Sequence, residues 1–248
     1  MAINSVVVVG KNRLAEDMLE LCRAGGLEAK MDPDASAAAV SDALVIETCS
    51  GDEAQKKENI QKLDAGSPSA IILTSCLGFS TTRIATWATR PERVVGFATF
   101  YPLKEKKVIE LTSGLATQEQ ALEEVEKFFR ALGKEPVRVK DAPGLIFTRI
   151  LSLIINEAAR SLDEGVAQAE EIDTAMRLGV NYPSGPLKWA DRIGLDDVLA
   201  VLEGLQRETG DDRYRPAPLL AKMVLAGRLG ESSGKGFYDY KGATSSKQ

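Results

Sequence analysis

Tyr101 stands shortly before Lys104 and Lys107. An ammonium beside a phenol favours the phenolate, so these residues could exchange a proton with a substrate hydroxyl. A solvated basic loop explains Lys104-Glu105-Lys106-Lys107 as simply, although the same run could attract an acidic partner or a coenzyme phosphate. Glu47 ends an apolar run and is a candidate site carboxylate, with capping of Ser50 to Asp52 as its plainer role. The turn Gly10-Lys11-Asn12-Arg13-Leu14-Ala15 has the spacing of a glycine-rich dinucleotide turn, with Gly10, Asn12 and Ala15 at the three glycine positions. Asp32 sits where an acid would take the ribose hydroxyls, and a strand-end turn before Pro33 accounts for it equally well. Asn12, however, puts a side chain where phosphate oxygens should approach, and Asp17 adds negative charge to the first turns of the receiving helix. The turn therefore has the spacing of a dinucleotide cradle, altered at Asn12 and beside Asp17.

The chain of 248 residues contains no histidine, so the commonest general base near neutral pH is missing. Without imidazole, and with no close cluster of thiols or carboxylates, a metal site finds no support. Cys22, Cys49 and Cys76 have no C-x-x-C spacing and read as buried, reduced thiols. A composition of 44% hydrophobic and 27% charged residues describes a globular chain with one large or two modest cores. A net charge of -5 argues against a nucleic-acid partner. No apolar run approaches bilayer length and no signal-peptide pattern opens the chain, so the expected location is cytoplasmic, with no membrane partner.

The elements that must position these residues follow from periodicity. Short strands at Ser5 to Gly10, Leu27 to Met31, Ala43 to Ile46, Ala70 to Leu73, Val94 to Ala98, Val108 to Leu111 and Pro136 to Val139 alternate with helices over Leu14 to Gly25, Asp52 to Leu63 and Gln118 to Leu132. Alternating β and α elements predict a parallel sheet covered on both faces. After Asp141-Ala142-Pro143-Gly144, helices are expected over Ile146 to Glu164, Ala169 to Leu178, Leu187 to Ala190 and Leu195 to Glu208. The fold class is α/β, a Rossmann-like parallel-sheet domain over 1–140 followed by an all-α domain over 141–248. Trp189, Tyr214 and Phe237 fit helix packing in the second domain.

In that second domain Asp141-Ala142-Pro143-Gly144-Leu145-Ile146, Asn156-Glu157-Ala158, Glu171-Ile172-Asp173-Thr174-Ala175-Met176, Tyr182-Pro183-Ser184-Gly185-Pro186, Gly194-Leu195-Asp196 and Gly234-Lys235-Gly236-Phe237-Tyr238 follow one another at characteristic spacing. In this the chain resembles the 3-hydroxyacyl-CoA dehydrogenases, most weakly before Ala70. The resemblance implies a helical C-terminal domain that mediates dimer formation, and a cleft for NAD and an acyl-CoA. It also implies hydride transfer from C3 of the acyl chain, with a histidine taking the hydroxyl proton and a glutamate orienting that histidine.

By the same resemblance Ala98 occupies the histidine position, Tyr101 that of an asparagine beside Pro102, and Glu110 that of the orienting glutamate, here a vestige. Thr148 replaces a substrate-binding asparagine, and Ser75, Cys76 and Leu77 replace Asn, Thr and Ser. Only Pro33 to Asp42 stands where active relatives carry a longer helical hairpin that contacts coenzyme A. Three readings follow. The favoured one is a catalytically degenerate relative acting as a partner subunit in acyl-CoA metabolism, as a homodimer or a heterodimer with an active paralogue through the C-terminal domain. The second is an active NAD-dependent oxidoreductase with Tyr101 or a lysine as acid and base. The third holds an acyl-CoA or nucleotide ligand without turnover.

Overall fold

The computed structural model describes residues 3–36 and 44–240. The chain divides into two compact units, Met1–Phe147 and Thr148–Gln248. The sequence places the boundary near Lys140, a few residues before this division. Gly144 N–H donates to the Cys76 carbonyl (2.8 Å) and the N–H groups of Ile146 and Phe147 go to Glu110, which keeps residues 141–147 with the first unit.

The first unit runs β1 (Ser5–Val9), α1 (Arg13–Ala24), β2 (Glu28–Met31), β3 (Leu44–Glu47), α2 (Glu53–Gly66), β4 (Ile71–Ser75), α3 (Thr81–Ala85), β5 (Val94–Ala98), β6 (Val108–Ser113), α4 (Glu119–Ala131) and β7 (Glu135–Arg138). Its single sheet has the order β2-β1-β3-β4-β5-β6-β7. Every neighbouring pair is parallel except β5 and β6. The expectation of a parallel sheet fails at that pair because the short link after Ala98 cannot make the crossover of a dozen or more residues that parallel pairing needs. Pro136 is tolerated because β7 is an edge strand.

Strand alternation assigns the faces. Val6, Val8, Leu44, Ile46, Leu73, Val95, Phe97, Ile109 and Leu111 form one core with Leu14, Met18 and Cys22 of α1 and with Leu122, Val125 and Phe129 of α4. The opposite face receives α2, against β3 and β4, and α3, against β5 and β6. Helix α3 starts where the Asp141 carboxylate accepts from the N–H groups of Thr81 (2.7 Å) and Thr82 (2.8 Å), which satisfies two donors a helix start leaves open.

The second unit contains α5 (Phe147–Asp163, whose first residue belongs to the first unit), α6 (Ala169–Gly179), α7 (Pro186–Ile193), α8 (Leu195–Thr209) and α9 (Pro218–Leu225). Buried carboxylates hold it together. Asp173 accepts from Leu187 N–H (2.8 Å) and Lys188 N–H (2.9 Å) at the start of α7, and from the Tyr238 hydroxyl (2.8 Å). Asp191 accepts from the N–H groups of Phe237 and Tyr238 (both 2.9 Å) and from the Tyr240 hydroxyl (3.0 Å). Gly185 and Gly236 are required here, because a Cβ on either would strike the Asp173 or the Asp191 side chain. Asn156 donates to Arg215 O (3.0 Å) and accepts from Ala217 N–H (2.7 Å), fixing the approach to α9. Tyr214 is buried and faces Arg149, and Trp189 meets Tyr182 edge to face. Among the described residues no helix is long and apolar enough to cross a membrane.

Candidate functional site

The sheet order reverses between β1 and β3, and in an open α/β sheet a ligand lies outside the carboxyl ends of the strands at such a point. The turn after β1 supplies one side of this crevice. Gly10 has φ 140°, which a side chain rarely adopts, and a Cβ there would collide with Thr48 Oγ1. Asn12 is the N-cap of α1, its Oδ1 accepting from Ala15 N–H (3.0 Å). The same side chain reaches across to the residue after β3. Asn12 Nδ2 donates to Thr48 O (2.8 Å), and the Thr48 hydroxyl lies 2.9 Å from Asn12 Oδ1 and 3.1 Å from Val9 O.

The other residues expected at this site are also engaged. Asp32 is buried at the end of β2, and its Oδ1 accepts from Ser36 N–H and Ser36 Oγ, both at 3.1 Å, closing its own turn. Lys11 pairs with Asp34 in solvent at 2.5 Å. Asp17 is turned away from the helix start: its Oδ2 accepts from Leu103 N–H at 2.6 Å and pins the loop after β5 to α1. The segment expected to replace the coenzyme A hairpin lies partly outside the described residues. The cation placed on Tyr101 is Arg13, whose guanidinium carbon is 4.1 Å from the ring centroid. Arg13 comes from α1, which the Asp17 bond to Leu103 N–H ties to this loop.

Ala98 and Glu110 are direct partners across the antiparallel β5–β6 pair, on the same face of the sheet. An imidazole at 98 would project beside this carboxylate, where Ala98 presents a methyl group that is only 3% exposed. Glu110 accepts from Ile146 N–H (2.8 Å) and Phe147 N–H (2.9 Å), where α5 begins. It therefore has a structural task that the sequence did not disclose. Leu145, just before, takes a left-handed φ of 48°, costing about 1 kcal/mol, and the bonds to Glu110 hold the chain beyond it. Leu77 and Thr148 are both fully buried.

Glu47 is not a free site carboxylate. It is fully buried and meets Lys56 of α2 at 2.5 Å, while Thr74 Oγ1 (2.8 Å) and Cys49 N–H (2.9 Å) also donate to it. The Lys56 ammonium makes a second bond to Cys49 O (2.6 Å). Sequence reading missed Lys56, although its helical register with Ile60 and Leu63 puts it on the buried face of α2.

All three cysteines are free, but only Cys22 and Cys76 are buried as expected; Cys49, in the turn after β3, is half-buried. Burial raises the Cys22 thiol to about 12; burial and then the Glu47 charge raise Cys49 to about 11; burial raises Cys76 further. At pH 8 the native thiols are expected to react with a disulfide reagent roughly 10²-fold more slowly than in unfolded chain, because the thiolate is the nucleophile. Rapid native labelling at Cys49 would contradict this.

The family model described as the NAD binding domain of 3-hydroxyacyl-CoA dehydrogenase matches residues 12–142, and the one described as its C-terminal domain matches residues 144–240. The chain is a member of the 3-hydroxyacyl-CoA dehydrogenase family. A 3-hydroxybutyryl-CoA dehydrogenase of Bradyrhizobium diazoefficiens is 42% identical over 201 residues, 81% of this chain and 69% of that protein. The crystal structure of (S)-3-hydroxybutyryl-CoA dehydrogenase PaaH1 from Ralstonia eutropha superposes with a TM-score of 0.79 at 32% identity, covering 96% of this chain and 99% of that one. The structure of M. tuberculosis FadB2 gives a TM-score of 0.86 at 29% identity, over 97% and 100% of the two chains. The first unit thus has the family's NAD-binding fold. In this member of the 3-hydroxyacyl-CoA dehydrogenase family, the turn that would face the pyrophosphate carries the Asn12–Thr48 hydrogen bonds.

Proposed function

We propose that this chain is a 3-hydroxyacyl-CoA dehydrogenase homologue without turnover that serves as a non-catalytic subunit in acyl-CoA metabolism. The observation that carries the reading is Ala98 facing Glu110 in a chain without histidine. Interconverting a 3-hydroxy group and a ketone requires a group that takes up or returns the hydroxyl proton, and a methyl can do neither. Loss of a positioned general base costs roughly 10²- to 10⁴-fold in rate.

The partner role rests on the second unit, whose carboxylate clasps are intact and whose surface carries exposed Ile150, Leu178 (68% exposed) and Val180. Large apolar side chains in solvent suit a surface that associates, either with a second copy or with an active paralogue. In sedimentation the chain is expected to run as a dimer, and Leu178→Asp as a monomer; a monomeric parent chain would remove the homodimer.

The direct test mixes the purified chain with NADH and acetoacetyl-CoA and follows nicotinamide absorbance. No substrate-dependent oxidation is expected, and oxidation at a rate ordinary for such enzymes would overturn the proposal. One observation favours a second reading: Arg13 holds its guanidinium 4.1 Å from the centre of the Tyr101 ring, which fixes the tyrosine that reading would use as acid and base. Any turnover that Tyr101→Phe abolishes would establish it.

A further inference from the structure

We infer that Asn12 and Thr48 form a clasp that closes the dinucleotide crevice from within, leaving this chain with the family's NAD-binding fold but no pyrophosphate site. The bound dinucleotide of such a fold crosses the switch point with its pyrophosphate against the first turn and the start of the first helix. Small residues are needed there because the backbone itself must approach the phosphate oxygens.

At this point two side chains bridge the walls. The clasp comprises the Asn12 Nδ2 bond to Thr48 O (2.8 Å) and the contact between the Thr48 hydroxyl and Asn12 Oδ1 (2.9 Å). It is anchored on both strands, since Thr48 N–H donates to Val9 O (3.0 Å) and Asn12 caps α1 through Ala15 N–H (3.0 Å). The Thr48 hydroxyl rests on Gly10, the one turn glycine that remains, so the surface a pyrophosphate would cross is covered at both positions.

Two neighbouring groups are withdrawn as well. The Asp32 carboxylate, placed to take ribose hydroxyls, is turned onto Ser36. Arg13, the cation that could compensate for lost backbone donors, lies on the Tyr101 ring. Each group meant for the ligand thus has a partner within the protein. A dinucleotide would have to displace the Asn12–Thr48 contacts, which engage a half-buried amide and a buried hydroxyl, before its phosphates could reach the turn.

The inference deepens the proposed loss of turnover but does not rest on Ala98. Its test is titration of the full chain with NADH, followed by calorimetry and by nicotinamide fluorescence. The parent chain is expected to show no saturable binding. Asn12→Gly with Thr48→Ala is expected to acquire it, with a gain of at least about 10-fold in affinity. Because Asn12 also caps α1, a second variant, Asn12→Ser with Thr48→Ala, keeps a capping hydroxyl too short to reach Thr48 O, and it too is expected to bind. Circular dichroism confirms that the variants scored are folded. Saturable NADH binding by the parent chain would overturn the clasp, as would two folded variants that still fail to bind. Parent-chain binding without oxidation by acetoacetyl-CoA would sink the clasp alone and leave the lost turnover standing, whereas oxidation would sink both.

Discussion

Lys56→Met is expected to lower the free energy of unfolding by about 3–5 kcal/mol, read as a shift of the urea midpoint at unchanged slope. The physical reason is the isolation it would create. Glu47 and Lys56 are both fully buried, so removing the ammonium leaves a carboxylate with bonds from Thr74 and Cys49 but no counter-charge. Glu47→Gln in the same chain should recover most of the loss, because the amide oxygen still accepts while the unpaired charge is gone. Both substitutions sit in the first unit at the base of the loop that carries Thr48, so the double variant also separates the charge from the hydrogen bonds. A loss below about 1 kcal/mol in Lys56→Met would show that the pair is not dry and that water reaches Glu47.

Glu110→Ala is expected to cost about 2–4 kcal/mol, through two bonds from backbone N–H groups to a nearly buried carboxyl acceptor. Glu110→Gln retains one acceptor and turns an amide N–H toward a donor, so an intermediate loss of about 1–2 kcal/mol is expected. Thermal or urea unfolding decides the matter. If Glu110 were only a remnant of lost chemistry, either change would stay within about 0.5 kcal/mol. The result also bears on function, because a carboxylate kept for the start of α5 persists whether or not there is an imidazole for it to orient.

The sheet and most of the long helices were legible because their signals are local. Four valines at Val6 to Val9, the apolar spacing of α1 and α4, and the glycines and prolines between elements are each readable within a short window. Helix α3 was not read because five residues carry no period, and α9 was missed despite Pro218 at its first position. At the site the limit is different. Asn12 could be judged an obstacle from its position in the turn, but its partner Thr48 is 36 residues away, and only the β1–β3 pairing brings them together. Arg13 over Tyr101 is hidden in the same way, whereas Lys56 was within reach of the helical register of α2.

The motifs most useful for recognition prove to be structural. Asp173, Gly185, Asp191, Gly236 and Tyr238 belong to carboxylate clasps and to the close approaches those clasps require. They bond the second unit together whatever the chemistry at Ala98, Leu77 and Thr148, since nothing in the clasps depends on turnover.

Those clasps also impose an order on synthesis. Asp173 is bonded to the Tyr238 hydroxyl, and Asp191 to the backbone of Phe237 and Tyr238 and to the Tyr240 hydroxyl. Domains made first generally fold first as the chain emerges. The first unit is complete at residue 147, whereas the second cannot satisfy these carboxylates until residue 240 has been made. A nascent chain halted between those points would carry a finished sheet domain followed by helices whose buried acids still depend on water. Such an intermediate is visible to proteases and chaperones in its second half alone.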